Sequence, residues 1–443
     1  GSTITVLNAT GNVTGMFLEG EPFAFLDRNV DYPGGGVVTV TLMANGANLA
    51  TTGQTPNQIA VGTALSTLTG SLDPDVQELF DNLNTLTASQ AAPTLDSLSG
   101  ESISAFSTAR VALGERMQRT VQRRMRSLLF ARDTAWPAGR APRGSRPTRT
   151  PLSGSGSDVA APPRLGERGV GAWIDGYGVV GTLDGDGNSA DVDYDLYGST
   201  VGVDYRLGSH VLAGAAAGYA RTELHVDARD ADGSADTAQG ALYAAWANRR
   251  VYAGLSGRYA WSNANQTRDI VAGSLRREAR ADFDSHDYGL RGEIAVDAFE
   301  AGPMVFEPLA GFEWNHLTRE DFQESGAGGL GLDVASETLD TSLLQLGARL
   351  HGIFPMDEDS VLAPELRAYW LHEFGDVDRI VEASLDGAPF QVSGAEAPRD
   401  GALVGAGWAM TLGPNVRAVA DYDLRIDSDR LEHVGSITIR VRF

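Results

Sequence analysis

From about residue 168 to the C-terminus, apolar and polar residues alternate with a period of two. Tyr288, Leu290, Ile294 and Val296 fall on one face of such a segment; Asp287, Arg291, Glu293 and Asp297 fall on the other. The same split places Val416, Ala418, Ala420, Tyr422 and Leu424 against Arg417, Asp421, Asp423 and Arg425. It also places Phe306, Ala310, Phe312 and Trp314 against Glu307, Glu313 and Asn315. Successive side chains of a strand point to opposite faces, so the pattern predicts strands. Twelve are expected, at 169–181, 194–207, 210–224, 236–248, 250–265, 282–299, 303–317, 338–354, 361–375, 401–412, 415–427 and 433–443. Most exceed the ~5–6 residues usual in globular sheets, and many are long enough to cross a bilayer at a tilt.

Upstream the period changes. Residues 1–46 read as short strands (Ile4, Val6, Leu7; then Val37, Val38, Val40, Leu42) with a Gly34-Gly35-Gly36 turn. Residues 56–132 read as helical. Pro56 and Asp73-Pro74 open helices, Val76, Leu79, Phe80, Leu83 and Leu86 repeat at helical spacing, and a longer helix is expected over 101–132. This last helix carries Arg110, Arg116, Arg119, Arg123 and Arg126 among other arginines, against only Glu101 and Glu115. Residues 133–167 are rich in Pro, Gly, Ser and Arg and read as a linker.

Two architectures share the period of the C-terminal zone: a soluble β-sandwich with its apolar face inward, and a membrane barrel with its apolar face outward. Three features favour the barrel. The polar face carries charges of both signs. Aromatics recur near strand ends, at Tyr205, Tyr219, Tyr259, Trp261, Trp314, Trp370 and Trp408, as interfacial girdles do. Short connections alternate with long polar ones (182–193, 225–235, 266–281, 318–337, 376–400, and a briefer one near 428–432), the sidedness of an outer-membrane barrel. The expected fold is therefore an all-β transmembrane barrel of twelve antiparallel strands. Asp204, Arg258, Arg291, Glu293, Glu307, Glu313, Arg349, Glu365, Arg417, Asp421 and Arg440 are expected to face its lumen. Twelve strands put both barrel ends on the periplasmic side, so whatever precedes the barrel lies in the periplasm or passes through the lumen. The basic helix is the candidate plug, and a helix of a separate periplasmic domain is the alternative.

The 443 residues carry a net charge of −23, all 35 basic residues are Arg, and there are no Cys. So acidic a chain is a poor nucleic-acid binder, and zinc–thiolate sites, disulfides and thiol catalysis are excluded. The longest apolar stretch, 211–220, is far too short for a membrane helix. Gly1-Ser2 reads as a cloning remnant, so the natural chain is expected to begin earlier. His210, His225, His286, His316, His351, His372 and His433 lack metal-ligand spacing. The Gly-rich run 326–331 imitates a nucleotide loop but lies in an expected outer loop. Asp184, Asp186, Asn188, Asp191 and Asp193 offer oxygen ligands for Ca²⁺, or form a solvated acidic loop. No catalytic residue, cofactor or metal is expected.

Several segments, in this order, resemble type Va autotransporters across nearly the whole chain. Residues 25–32 and 37–42 resemble the last rungs of a passenger β-helix, and 54–61 and 95–101 the landmarks that follow. Residues 173–178, 202–208, 307–314, 322–326 and 346–350 look like barrel signatures. Ile439, Val441 and the terminal Phe443 resemble the signal read by the barrel-assembly machinery. The resemblance implies a monomeric translocator barrel in a Gram-negative outer membrane, helped there by periplasmic chaperones. It would carry its own N-terminal passenger to the cell surface and keep a helix in its pore. Some relatives cut their passenger at an Asn inside the barrel; no Asn lies within 101–132, so that activity is not expected. The long linker departs from the family pattern and leaves open whether it or the helix fills the pore. The other reading kept is a porin-like channel with 1–167 as a periplasmic domain.

Overall fold

The computed structural model describes residues 2–18, 20–133, 169–208, 210–248, 250–356, 360–412 and 416–442, with the side chains of 127–133 set aside. The expected linker and Phe443 lie outside these residues.

Twelve long antiparallel strands form a closed cylinder: Gly169–Leu183, Val192–Leu207, Val211–Val226, Ala231–Ala247, Val251–Ala272, Leu275–Val296, Met304–Arg319, Glu337–Gly352, Val361–Glu373, Asp400–Thr411, Val416–Asp427 and Arg430–Arg442. Closure runs from Arg430 opposite Leu183 to Arg442 opposite Gly171. Closing the sheet leaves no unpaired backbone edge for hydrocarbon to strand. No described helix is long and apolar enough to cross a membrane; the strands cross it. The face assignment is unambiguous. Leu242 is 71% exposed and Ile437 64%, whereas Glu307 and Glu313 are fully buried. A dry interior would have placed these the other way round.

Glycines on the inner wall make room for aromatic rings of the neighbouring strand. Gly202 lies under Trp173, Gly214 under Tyr243 and Gly181 under Tyr194, and a Cβ at any of the three would collide with the ring.

At the loop end the sheet extends further than the sequence suggests. The expected connection 266–281 is instead strand on both sides of a Gly273-Ser274 turn. Arg276, Glu278 and Arg280 face solvent, while Gln266, Arg268, Ile270, Ala272, Leu275 and Ala279 face inward, the apolar four onto one cluster and Arg268 onto Glu324. The connection expected at 225–235 shrinks to residues 227–230. Within 376–400 the chain forms a hairpin, Ile380–Leu385 with Ala388–Ser393, turning at Asp386 and Gly387 with φ of 47° and 78°. Consecutive positive φ values suit a tight hairpin turn. Leu332–Val334 and Phe322–Gln323 extend this hairpin into a four-stranded outer sheet.

The N-terminal part is a cap of helices α1 (Leu49–Thr52), α2 (Pro56–Thr67), α3 (Pro74–Leu83) and α4 (Ala88–Ser99), leading through a 3-10 turn, Glu101–Ser104, into the long helix α5 (Ala105–Asp133). Thr55 and Gln58 form a reciprocal capping box on α2, and Asp73 caps α3 ahead of Pro74. Strands Ser2–Asn8, Leu26–Gly34 and Val37–Ala44 precede the cap. They pair antiparallel in the order first, third, second, with Gly34, Gly35 and Gly36 all left-handed at the reversal. The second and third strands form a hairpin and the first strand adds to the third, giving a three-stranded antiparallel sheet that does not by itself display the stacked rungs of a β-helix.

Candidate functional site: the occupied lumen and its cap

Helix α5 spans about 44 Å at 1.5 Å per residue and runs down the barrel axis. Residues 105–126 are buried along nearly their whole length. Phe106 sits at the loop end, 5.1 Å edge-to-face from Phe283. Arg124 and Arg126 reach Asp204 (2.7 Å) and Glu293 (2.6 Å) near the turn ends of their strands. A helix this charged is unstable in an apolar core; here the wall supplies the counter-charges. Arg110 pairs with Asp287. Arg116, with no exposed surface, meets Asp175 at 2.8 Å and stacks over Tyr177. Glu115 accepts from Arg425 and from Arg119, which also faces Glu432. Arg123 lies 3.7 Å from Asp421 and Asp423. Gln118 and Gln122 take Ser256 and Tyr252 hydroxyls at 2.6 and 3.0 Å.

The wall also pairs with itself. Arg291 donates to Glu313 at 2.7 Å, Arg349 grips Glu307 through both its oxygens and reaches Glu365, and Arg367 bridges Glu365, Asp421 and Asp423. Arg258 donates to Asn315 at 3.3 Å and presses against Gly114 of the helix, where a Cβ would meet its guanidinium. The structure thus places Arg110, Arg116, Arg119, Arg123 and Arg126 on the lumenal helix. It places Asp204, Arg258, Arg291, Glu293, Glu307, Glu313, Arg349, Glu365, Arg417, Asp421 and Arg440 on the inward-facing strand positions, buried or half-buried. Ile439 and Val441 lie on the outward positions of the last strand.

Over the loop end sits the cap, whose contacts the sequence reading did not find. Leu49, Val61, Leu65, Val76, Leu79, Leu83, Leu86, Leu95, Leu98 and Ile103 pack as one cluster against the inward side of the outer hairpins, including Ile270, Leu275, Leu330, Leu332, Val381 and Val392. Each such side chain removed from water contributes about 1.5–3 kcal/mol. Asn57, fully buried at the start of α2, anchors the cap. Its amide donates to Glu101 (2.6 Å) and to the Ser393 carbonyl (2.7 Å), and its Oδ1 accepts from the Ser393 backbone (2.8 Å) and the Asn188 amide (3.2 Å). Glu101 accepts from the Ala190 backbone and lies 2.9 Å from Arg229. Gly100, left-handed at φ 67°, lies against Leu332 as the chain turns from cap to lumen.

Truncating Asn57 removes a donor from the buried Glu101 carboxylate, at about 1–3 kcal/mol, and leaves the half-buried Ser393 and Asn188 groups without this partner. Asn57→Ala is therefore expected to loosen the cap, seen as faster proteolysis and amide exchange in residues 49–104 with the barrel still folded. Burial raises the Glu101 carboxyl above its usual value despite Arg229 beside it. A raised native value means that the docked cap gains stability as pH falls, fully so below the ordinary glutamate range, and loses it as pH rises through the raised value. Opening of the cap in the native protein should accelerate between acidic and neutral pH. In Glu101→Gln, which keeps the acceptor and removes the titration, the same exchange measurement should give a flatter profile.

The acidic loop 184–193 is turned onto itself. Asp191 accepts from Gly185 (2.7 Å) and Asp186 from Asn188 and Ser189 (2.9 and 2.8 Å), while Asn188 holds the cap. Five histidines occupy outward positions beside aromatics or carboxylates of adjacent strands: His225 with Asp232, His286 with Tyr259, His316 with Asp340, His372 with Asp400 and His433 with Tyr422. His351 instead lies inside, near Asp297 and Glu307. These three carry donor atoms close enough to share a metal ion, but both Glu307 oxygens are held by Arg349.

Comparison with known proteins gives a consistent picture. The family described as "Autotransporter beta-domain" matches residues 172–423. An extracellular serine protease of Serratia marcescens is 24% identical over the whole chain, and esterase EstA of Pseudomonas aeruginosa is 23% identical over 62% of it; the chain spans 43% of the length of each. The translocator domain of the autotransporter NalP from Neisseria meningitidis superposes with a TM-score of 0.51 at 18% identity, covering 62% of this chain and 89% of that one.

Proposed function

Because the chain belongs to the autotransporter β-domain family, we propose that its lumen and cap are the end state of passenger export, with α5 as the part of the exported chain that stays behind. The barrel inserts in the outer membrane and exports its own passenger to the surface. The observation that supports this end state is the direction of α5. Its N-terminal end lies at the loop end, under the cap, and its C-terminal end at the short-turn end where the first strand begins. Short turns mark the periplasmic side, so residues 2–104 stand outside the cell.

In this reading residues 2–44 are the base of the surface-exposed passenger. The cap docks once it has emerged, and its buried leucines hold α5 in place without an energy source. The alternate apolar residues of the last strand, Ile439 and Val441 with the terminal Phe443, serve recognition by the barrel-assembly machinery, with periplasmic chaperones upstream of it. The barrel works as a single copy. No catalytic role is assigned to these residues; the hydrolytic activities named for the two relatives belong to those proteins.

The test is a protease-cleavable tag at residue 12, in the exposed turn after the first strand, on intact cells. Removal of the tag by external protease, with the periplasm sealed, is expected. A tag reached only after the outer membrane is permeabilised would favour the porin-like arrangement with the N-terminal part in the periplasm.

A further inference from the structure

At the periplasmic half of the lumen, between α5 and the wall, lies a small, partly open cavity of about 30 Å³. Four guanidinium groups converge on it, from Arg123, Arg126, Arg349 and Arg440, with only two carboxylates, Glu365 and Asp421. Most of these charges are spent elsewhere. Arg126 is engaged by Glu293, Arg349 by Glu307 and Glu365, and Asp421 accepts from Arg367 at 3.0 Å. Arg440 is different. It is nine-tenths buried, its one hydrogen bond is to the Arg123 carbonyl at 3.5 Å, and its Nε has no hydrogen-bond partner among the described residues. The register adds a second cation, because Arg417 stands directly opposite Arg440 on the neighbouring strand. Like charges facing across a strand pair destabilise it, and Arg440 has Asp421 in its surroundings but no carboxylate hydrogen-bonded to it among the described residues, a costly state for a buried guanidinium.

We propose that this cavity binds a monatomic anion of the size of chloride, held by Arg440 and Arg123 and supported by Arg126 and Arg349. The volume selects the class. A site needs only ~10–15 Å³ to hold a water-sized occupant, and about 30 Å³ matches a single halide rather than a phosphate or a carboxylate-bearing metabolite. The halide supplies Arg440 with the directly bonded negative partner that Asp421, engaged by Arg367, does not give it. The site is independent of the export reading, since it needs only the closed barrel with α5 in place.

An occupant that binds only the folded state raises stability in proportion to its concentration over its dissociation constant. The full-length protein in detergent is unfolded thermally in potassium chloride and in potassium gluconate at matched ionic strength. A saturable rise of the midpoint in chloride alone is expected, with bromide acting like chloride. In Arg440→Gln the chloride–gluconate difference should vanish. Should that variant fail to assemble, Arg123→Gln provides the same comparison. Crystals of the unaltered protein grown in bromide should show an anomalous peak beside Arg440. Identical unfolding of the unaltered protein in the two salts, an Arg440→Gln variant that keeps the chloride effect, or bromide crystals without the peak would each overturn the proposal.

Discussion

Arg116→Leu is expected to cost the folded protein about 3–5 kcal/mol, the penalty for leaving a buried carboxylate without its cation. Arg116 and Asp175 have no exposed surface, and the pair is 2.8 Å long. Thr120 and Thr438 also donate to Asp175, at 3.3 and 2.6 Å, but hydroxyl groups do not replace a charge. The double variant Arg116→Leu/Asp175→Leu removes both ions together and should recover most of the loss, since a well-packed apolar pair often does as well as a buried ionic one. The loss and its recovery are read from the temperature at which the barrel loses its compact mobility on gels. A single variant as stable as the parent would mean that helix and wall are held by packing alone. Arg291→Leu, which strands Glu313, should behave like Arg116→Leu within the wall.

The second large effect concerns conductance. Eight strands enclose just enough space for side chains, and sixteen or more leave a channel; twelve strands need something inside to be sealed. Two independent obstructions are present: the helix with its arginine pairs, and the cap with its leucine cluster. A protein lacking residues 49–99 should remain closed in a planar bilayer, because the ion pairs of residues 110–126 do not involve the cap. A protein lacking 49–133 should conduct more by on the order of ten-fold or greater. Equal currents from the two deletions would show that α5 does not seal the pore.

The barrel was legible because a half-buried strand writes its two environments into alternate residues. Positions such as Leu290 and Arg291 state their faces directly, and the twelve expected strands are those that close. The outer extensions were not legible. Arg276, Arg277 and Arg280 made 266–281 look like a loop, because there the outward face meets water instead of lipid, while the small inward residues Ala272 and Ala279 carry little apolar signal. The Asp386-Gly387 pair was a usable hairpin signal within 376–400 that the charge around it obscured. The helical spacing of Val76, Leu79, Leu83 and Leu86 announced a buried face but not its partner, which comes from loops some 200 residues away. Asn57 carried no signal of its own, since a polar residue in the first turn of a helix is ordinarily solvated. The arginines of α5 announced a need for carboxylates, but their pairing depends on strand tilt and helix rotation, which the period does not encode.

The Asn57 anchor joins residues 57, 101, 188 and 393, drawn from both ends of the polypeptide. No subset of these can stand in for the rest, so the bond set behaves as a coincidence detector. It reports that the cylinder has shut and that the travelling segment has come to rest. A barrel still threading its cargo has an empty seat at that spot, which gives the finished machine and the working one different outer surfaces.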